Sequence, residues 1–149
     1  MMIYVSESLM AHAWQKMGAM RTDQVLAMQK RHRKEQKTLA GFAYAQLLEL
    51  REDAAGVGIY VFHAVVEAFS RVLPKPKAVR RPAIERAFGL SSATLAEEVR
   101  GAEPHAAQYL EEALLEEDEV ILTDSERALC THVVQTAILC LHEACAARA

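Results

Sequence analysis

Asparagine does not occur in this 149-residue chain, and proline occurs only four times, glycine six and cysteine three. The missing asparagine removes a common turn former, and its amide from any active site. With no proline before residue 74, little interrupts a helix in the first half of the chain. Several signatures of chemistry are missing as well. There is no Gly-x-Gly-x-x-Gly or Walker loop to cradle phosphates, no Gly-x-Ser-x-Gly elbow and no His-Glu-x-x-His. Glu-x-x-His, which a di-iron bundle needs on two helices, is missing too. No metal or cofactor site is therefore expected.

The cysteines, at 130, 140 and 145, all fall in one C-terminal segment. On a helix, steps of ten and five residues turn about 280° and 140°, so the three thiols share no face and cannot pair with one another. They read as small buried hydrophobes in a reducing compartment, which points to a cytoplasmic protein. The opening Met1–Val5 is apolar, but it follows no basic region and runs into Ser6-Glu7-Ser8, unlike a secretory signal.

What is present is a set of helix formers. Hydrophobic residues make up 52% and charged residues 25%, a globular balance, and Ala, Leu, Glu, Gln, Met and Arg are abundant. Thr123-Asp-Ser-Glu126 is a capping box: the threonine hydroxyl caps a helix and the glutamate reaches back to the capping residue's N–H. The residues after it, from Ala128 to Cys145, are apolar around most of the helix, as in a rod enclosed by other helices. Thr131, His132, Gln135, Thr136, His142 and Glu143 make it too polar for a membrane span.

The chain therefore predicts an all-α fold, a compact bundle of five to seven helices in a single domain. Long N-terminal helices are expected over 6–52, with Leu9, Ala13, Met17 and Met20 as one apolar stripe. Val25, Met28, His32, Leu39, Phe42, Ala43, Gln46, Leu47 and Leu50 form another. Arg51–Gly58 reads as a turn into a third helix within 54–73. There Ile59, Phe62, Val66, Phe69 and Leu73 face inward, while Glu67 and Arg71 face away. A Pro/Lys/Arg linker follows at 74–81, short helices at 82–119, and the buried C-terminal helix at 124–147. Glu116–Glu119 place acids at a helix C-terminus, where the dipole disfavours them, and predict fraying. Val120-Ile121-Leu122 is β-prone, but Ile3-Tyr4-Val5 is its only partner, too little for a stable sheet. Trp14 and the methionines read as core, with Met10, Met17, Met20 and Met28 also able to form an adaptable surface.

Charge divides the chain. Residues 1–96 carry fourteen Lys/Arg against eight Asp/Glu, and residues 97–149 carry three against twelve. Either the halves neutralise each other in the fold or they form separate binding faces, and neutralisation is the simpler reading. Lys30, Arg31, Arg33 and Lys34, with Lys75, Lys77, Arg80 and Arg81, form two basic clusters suited to binding a partner. Phosphate contacts to nucleic acid need such clusters on one surface. No nucleic-acid reading motif or aromatic platform accompanies them.

His63 and Glu67 are four residues apart, and His32 and Glu35 three, so each pair shares a helical face. His63 among Tyr60, Phe62 and Val66 reads as a packed histidine. Arg127-Ala-Leu-Cys-Thr-His132 resembles the Arg-x4-His motif of HEPN ribonucleases. The resemblance implies Arg127 binding the scissile phosphate and His132 acting in acid–base transfer. Arg100 and His105 repeat the spacing, and Ala128 stands where that family usually has a polar residue. With no other catalytic constellation, the sequence reads first as a non-enzymatic interaction or regulatory protein. It is expected to form a homodimer or bind another protein through helix faces and complementary charge. A HEPN-like RNase or toxin–antitoxin component, and a nucleic-acid-binding protein, are the alternatives.

Overall fold

A computed structural model describes residues 2–115 and 119–147. Among them are eight helices and no strand: α1 (Glu7–Gly18), α2 (Thr22–Glu35), α3 (Lys37–Leu47), α4 (Glu52–Ser70), α5 (Arg81–Phe88), α6 (Ser92–Ala102), α7 (Pro104–Leu115) and α8 (Asp124–Ala146). The all-α bundle is as the sequence predicts, with one helix beyond the expected range. The extra helix arises at Gln36, where backbone torsions outside the helical range split the 25–50 stripe into α2 and α3. The buried side chain of Gln36 clamps the segment after α4, donating to the Lys77 carbonyl at 2.9 Å and accepting from the Val79 N–H at 2.9 Å.

The termini follow local chemistry. Ser6 and Ser91 cap α1 and α6 through their hydroxyls, and Pro104 opens α7 at a position where its missing N–H costs nothing. At α8 both halves of the expected capping box form: Thr123 Oγ1 accepts from Glu126 N at 3.1 Å, and Glu126 Oε1 accepts from Thr123 N at 2.9 Å. Arg51, at the start of α4, adds a two-pronged pair to the same carboxylate at 2.7 and 3.0 Å. The entrances of α4 and α8 are thus locked together.

α8 touches α3, α4, α5, α6 and α7, so the C-terminal helix is the enclosed rod that its sequence predicts. It is long and apolar enough to cross a membrane by composition, yet 67% of its apolar window is buried within the bundle. α4 is its equal, packing on α1, α2, α3, α7 and α8. Gly56 and Gly58 lie inside α4, not in a turn, because Arg51 rather than Gly58 precedes the helix. A Cβ on Gly58 would stand 2.8 Å from Leu47 Cδ2 and 2.9 Å from Cys130 Sγ, so glycine is what lets α3, α4 and α8 meet.

Other expectations are corrected. Helix α4 ends at Ser70, leaving Leu73 86% exposed. Trp14 is 42% exposed, leaning on Tyr60 and Tyr109, while Met10, Met17 and Met28 are buried and offer no surface. The thiols of Cys130, Cys140 and Cys145 are free and buried. Burial, reinforced by Glu126, Glu143 and Glu103 respectively, raises them to about 11, 12 and 12. Glu116, Glu117 and Asp118, on which the fraying expectation rests, lie outside the described residues.

Candidate functional site: a buried His–His–Glu chain opening on a basic cleft

The apolar face of α4 is interrupted by a polar stripe, His63, Glu67 and Arg71, each one helical turn beyond the last. Glu67 is turned inward, 1% exposed, because α2 places His32 against it. His32 Nε2 lies 3.0 Å from Glu67 Oε1, and His32 Nδ1 lies 2.8 Å from His63 Nδ1. The two rings stack at 5.1 Å, both fully buried. Tyr44 of α3 closes the chain, its hydroxyl 2.6 Å from His63 Nε2, with the Arg33 guanidinium 5.7 Å from its ring centre.

Three cations surround the carboxylate. Lys16 Nζ at the end of α1 is 3.1 Å from Oε2, Arg31 Nη2 is 2.5 Å from Oε1, and Arg71 Nη2 is 3.5 Å from Oε2. Burial alone would raise the Glu67 carboxyl. The hydrogen bonds from His32 and Lys16 and the charges of Arg31 and Lys16 outweigh it and hold the group well below the ordinary carboxylate range. His63 is lowered as well, which for a base favours the neutral form: burial, with His32 and Arg33 adding to it, pushes it down to about 3. It is neutral at pH 7.

The charge on Glu67 fixes the first bond of the chain. Glu67 is an acceptor only, so His32 Nε2 donates to it. The other two bonds follow the tautomers: with the proton on His63 Nδ1, that nitrogen donates to His32 Nδ1 and His63 Nε2 accepts from the Tyr44 hydroxyl, and with the proton on His32 Nδ1 both bonds run the other way. All four imidazole nitrogens already have partners within the chain. Among the described residues no group of three or more His, Cys, Asp and Glu side chains has metal-binding geometry.

On its outer side Glu67 opens on a cleft of about 230 Å³ lined by Lys16, Arg31, Glu35, Glu67, Arg71 and Lys75. Arg31 of the first basic cluster and Lys75 of the second meet here, together with Lys16 and Arg71, which belonged to neither. The Gln36 clamp seats the second cluster against the α2–α3 junction. The remaining cations divide. Lys30, Lys34, Lys77 and Arg80 are exposed, Arg33 lies over Tyr44 instead, and Arg81 lines a separate cleft with Lys37 between α3 and α5. Between the basic and acidic halves the ion pairs among the described residues are Arg51–Glu126 and Arg86–Glu143. Neither uses a residue of the two basic clusters, so the simple neutralisation expected from the sequence is not how these clusters are placed.

Arg127 and His132 line one cleft of about 400 Å³ with Arg100 and Glu111. Arg127 reaches the Leu114 and Leu122 carbonyls and Asp124, bracing the connection into α8. His132 Nε2 is 2.8 Å from the Phe88 carbonyl, and its Nδ1 is buried without a partner among the described residues. The Phe88 carbonyl therefore occupies the Nε2 position of this ring. Arg100 pairs instead with Glu111 at 3.4 Å.

The sequence reading missed Glu67, His32, Tyr44, Lys16 and Arg71 as members of one site. The available signal was the polar spacing His63, Glu67, Arg71 within an otherwise apolar helix. Comparison with protein-family models, curated proteins and solved structures finds no match for this chain.

Proposed function

We propose that this protein is a non-enzymatic interaction or regulatory protein that docks an acidic protein surface on the face around the Glu67 cleft. The observation that carries the reading is the meeting of Arg31 and Lys75 with Lys16 and Arg71 in one cleft, where four cations line the walls against two carboxylates. The exposed Lys30, Lys34, Lys77 and Arg80 extend the positive charge around it, without ion pairs among the described residues. Such a field steers an oppositely charged partner and sets its orientation more than it sets raw affinity. A second copy of the chain supplies exposed, adjacent carboxylates at Glu97 and Glu98 of α6, and this supports the homodimer expectation.

Light scattering across a salt series, with and without polyglutamate, tests the reading. The expected result is complex formation, with itself or with polyglutamate, that weakens as salt screens the contact. It should be abolished by combined Lys30→Glu, Lys34→Glu and Lys75→Glu changes. A monomer at every salt concentration removes the homodimer, and indifference to polyglutamate as well removes the docking reading. Tighter binding of single-stranded RNA than of polyglutamate assigns the face to nucleic acid instead.

A further inference from the structure

We infer that the cleft over Glu67 is a phosphate-binding pocket that takes a phosphomonoester carried on an acidic segment of a protein partner. The inference rests on the docking reading and names what would be recognised at its centre. Charge is the first argument. Lys16, Arg31, Arg71 and Lys75 face Glu67 and Glu35, a surplus of two positive charges in one cleft. A phosphomonoester carries about −1.5 to −2 near neutral pH, whereas each link of a nucleic-acid backbone carries one charge. The surplus matches the former.

Donors are the second argument. Arg31 and Arg71 each reach Glu67 through one Nη2, and Lys16 through Nζ. Each guanidinium keeps further N–H groups and the ammonium keeps two. Lys75 has no hydrogen bond or ion pair among the described residues, and it sits on a segment that Gln36 holds in place. Glu67 itself is anchored from behind by His32, so it cannot swing out to compete for solvent. It acts as a fixed post that gathers three cations from α1, α2 and the end of α4 before a ligand arrives. Such preorganisation lowers the ordering cost of binding.

Size is the third argument. About 230 Å³ is below the range of roughly 300–1,000 Å³ usual for pockets that enclose whole small molecules, and it suits a single tetrahedral oxyanion. Lys16 and Arg71 are each 36% exposed in their side chains, open to an anion from solvent while still in contact with Glu67. Glu35 in the same lining opposes the anion, and it selects for ligands that engage the four cations directly.

The test uses the full chain and a short acidic peptide with one serine, phosphorylated or not, in isothermal titration calorimetry. The phosphorylated form is expected to bind at least 10-fold more tightly, with inorganic phosphate competing. Lys75→Gln, which removes no contact within the fold, and Arg71→Gln should each weaken the phosphopeptide about 10-fold and the plain peptide less than 2-fold. Lys30→Gln, outside the cleft, should weaken both peptides alike. Equal affinity for both peptides overturns the phosphate pocket and leaves the docking reading standing. So does a phosphopeptide preference that persists in both Lys75→Gln and Arg71→Gln. If neither peptide binds, the docking reading fails. Inorganic phosphate then decides the pocket: failure to perturb the NMR signals of Arg31 and Arg71 saturably overturns it. An oligonucleotide without a terminal phosphate that binds as tightly as the phosphopeptide also overturns it.

Discussion

Glu67 and Glu103 are both buried carboxylates, 1% and 0% exposed, yet they are held in opposite ways. Glu103, between α6 and α7, accepts from the backbone N–H groups of Tyr4 and Val5, each at 3.0 Å, and lies 2.6 Å from His142 Nδ1. It pins the N-terminal segment to α8 with fixed amide donors and a single ring. Glu67 is held by side chains from α1, α2 and the end of α4, three of them cations with donors left over. A carboxylate satisfied by backbone closes a structure, whereas one surrounded by surplus side-chain charge leaves a binding surface.

The comparison has measurable consequences. The largest expected effect is at Glu103. Glu103→Ala leaves two backbone donors and a histidine without a partner, and the Val5 N–H is buried, so a loss of about 4 kcal/mol is expected in denaturant unfolding. Glu67→Ala should cost less, about 2–3 kcal/mol, because Lys16, Arg31 and Arg71 are partly exposed and can rotate outward, leaving mainly His32 unpaired. A Glu67→Ala loss equal to or above that of Glu103→Ala would show that the cations are as rigidly committed as the amides, and would break the distinction.

Acid sharpens the same contrast through His63. The unfolded chain binds a proton at this residue near pH 6.5, while the folded chain refuses it until about 3. Its contribution is therefore present above pH 6.5 and lost as the pH falls, about 2 kcal/mol of it between pH 7 and pH 5. Glu67, held low in the fold, adds to the loss only below the ordinary carboxylate range, with the same sign. Unfolding midpoints at pH 7 and pH 5 should show this drop in the wild type and a flatter profile in His63→Leu.

The smallest effect is expected at a third buried carboxylate, Glu126, which combines a cap with an ion pair. Thr123→Ala removes one half of its capping box and should cost about 1 kcal/mol by thermal unfolding. A much larger loss would mean that the cap also holds the Arg51 pair in register.

Parts of this arrangement were legible in the sequence. The α8 capping box, its apolar circumference and the stripes of α1 to α3 depend on neighbours within a few residues, and local spacing reports them faithfully. The same spacing showed His63 and Glu67 on one face. It also assigned Glu67 to solvent, since a carboxylate on an apolar helix is usually exposed unless paired. Its partner His32 stands 35 residues away on another helix, and only the packing of α2 on α4 brings them together. The break at Gln36 escaped for the same reason: glutamine carries no breaker signal, and its buried amide is satisfied by Lys77 and Val79 far along the chain.

The sequence by itself determined that this chain is helical and that its C-terminal helix is enclosed, because helix period, capping and apolar patterning are short-range properties. Which charges are neutralised and which are left facing a cleft was decided only in three dimensions. Coulomb energies depend on distance and burial, and folding brings Lys16, Arg31, Arg71 and Lys75 together around one carboxylate that no local pattern marked as their centre.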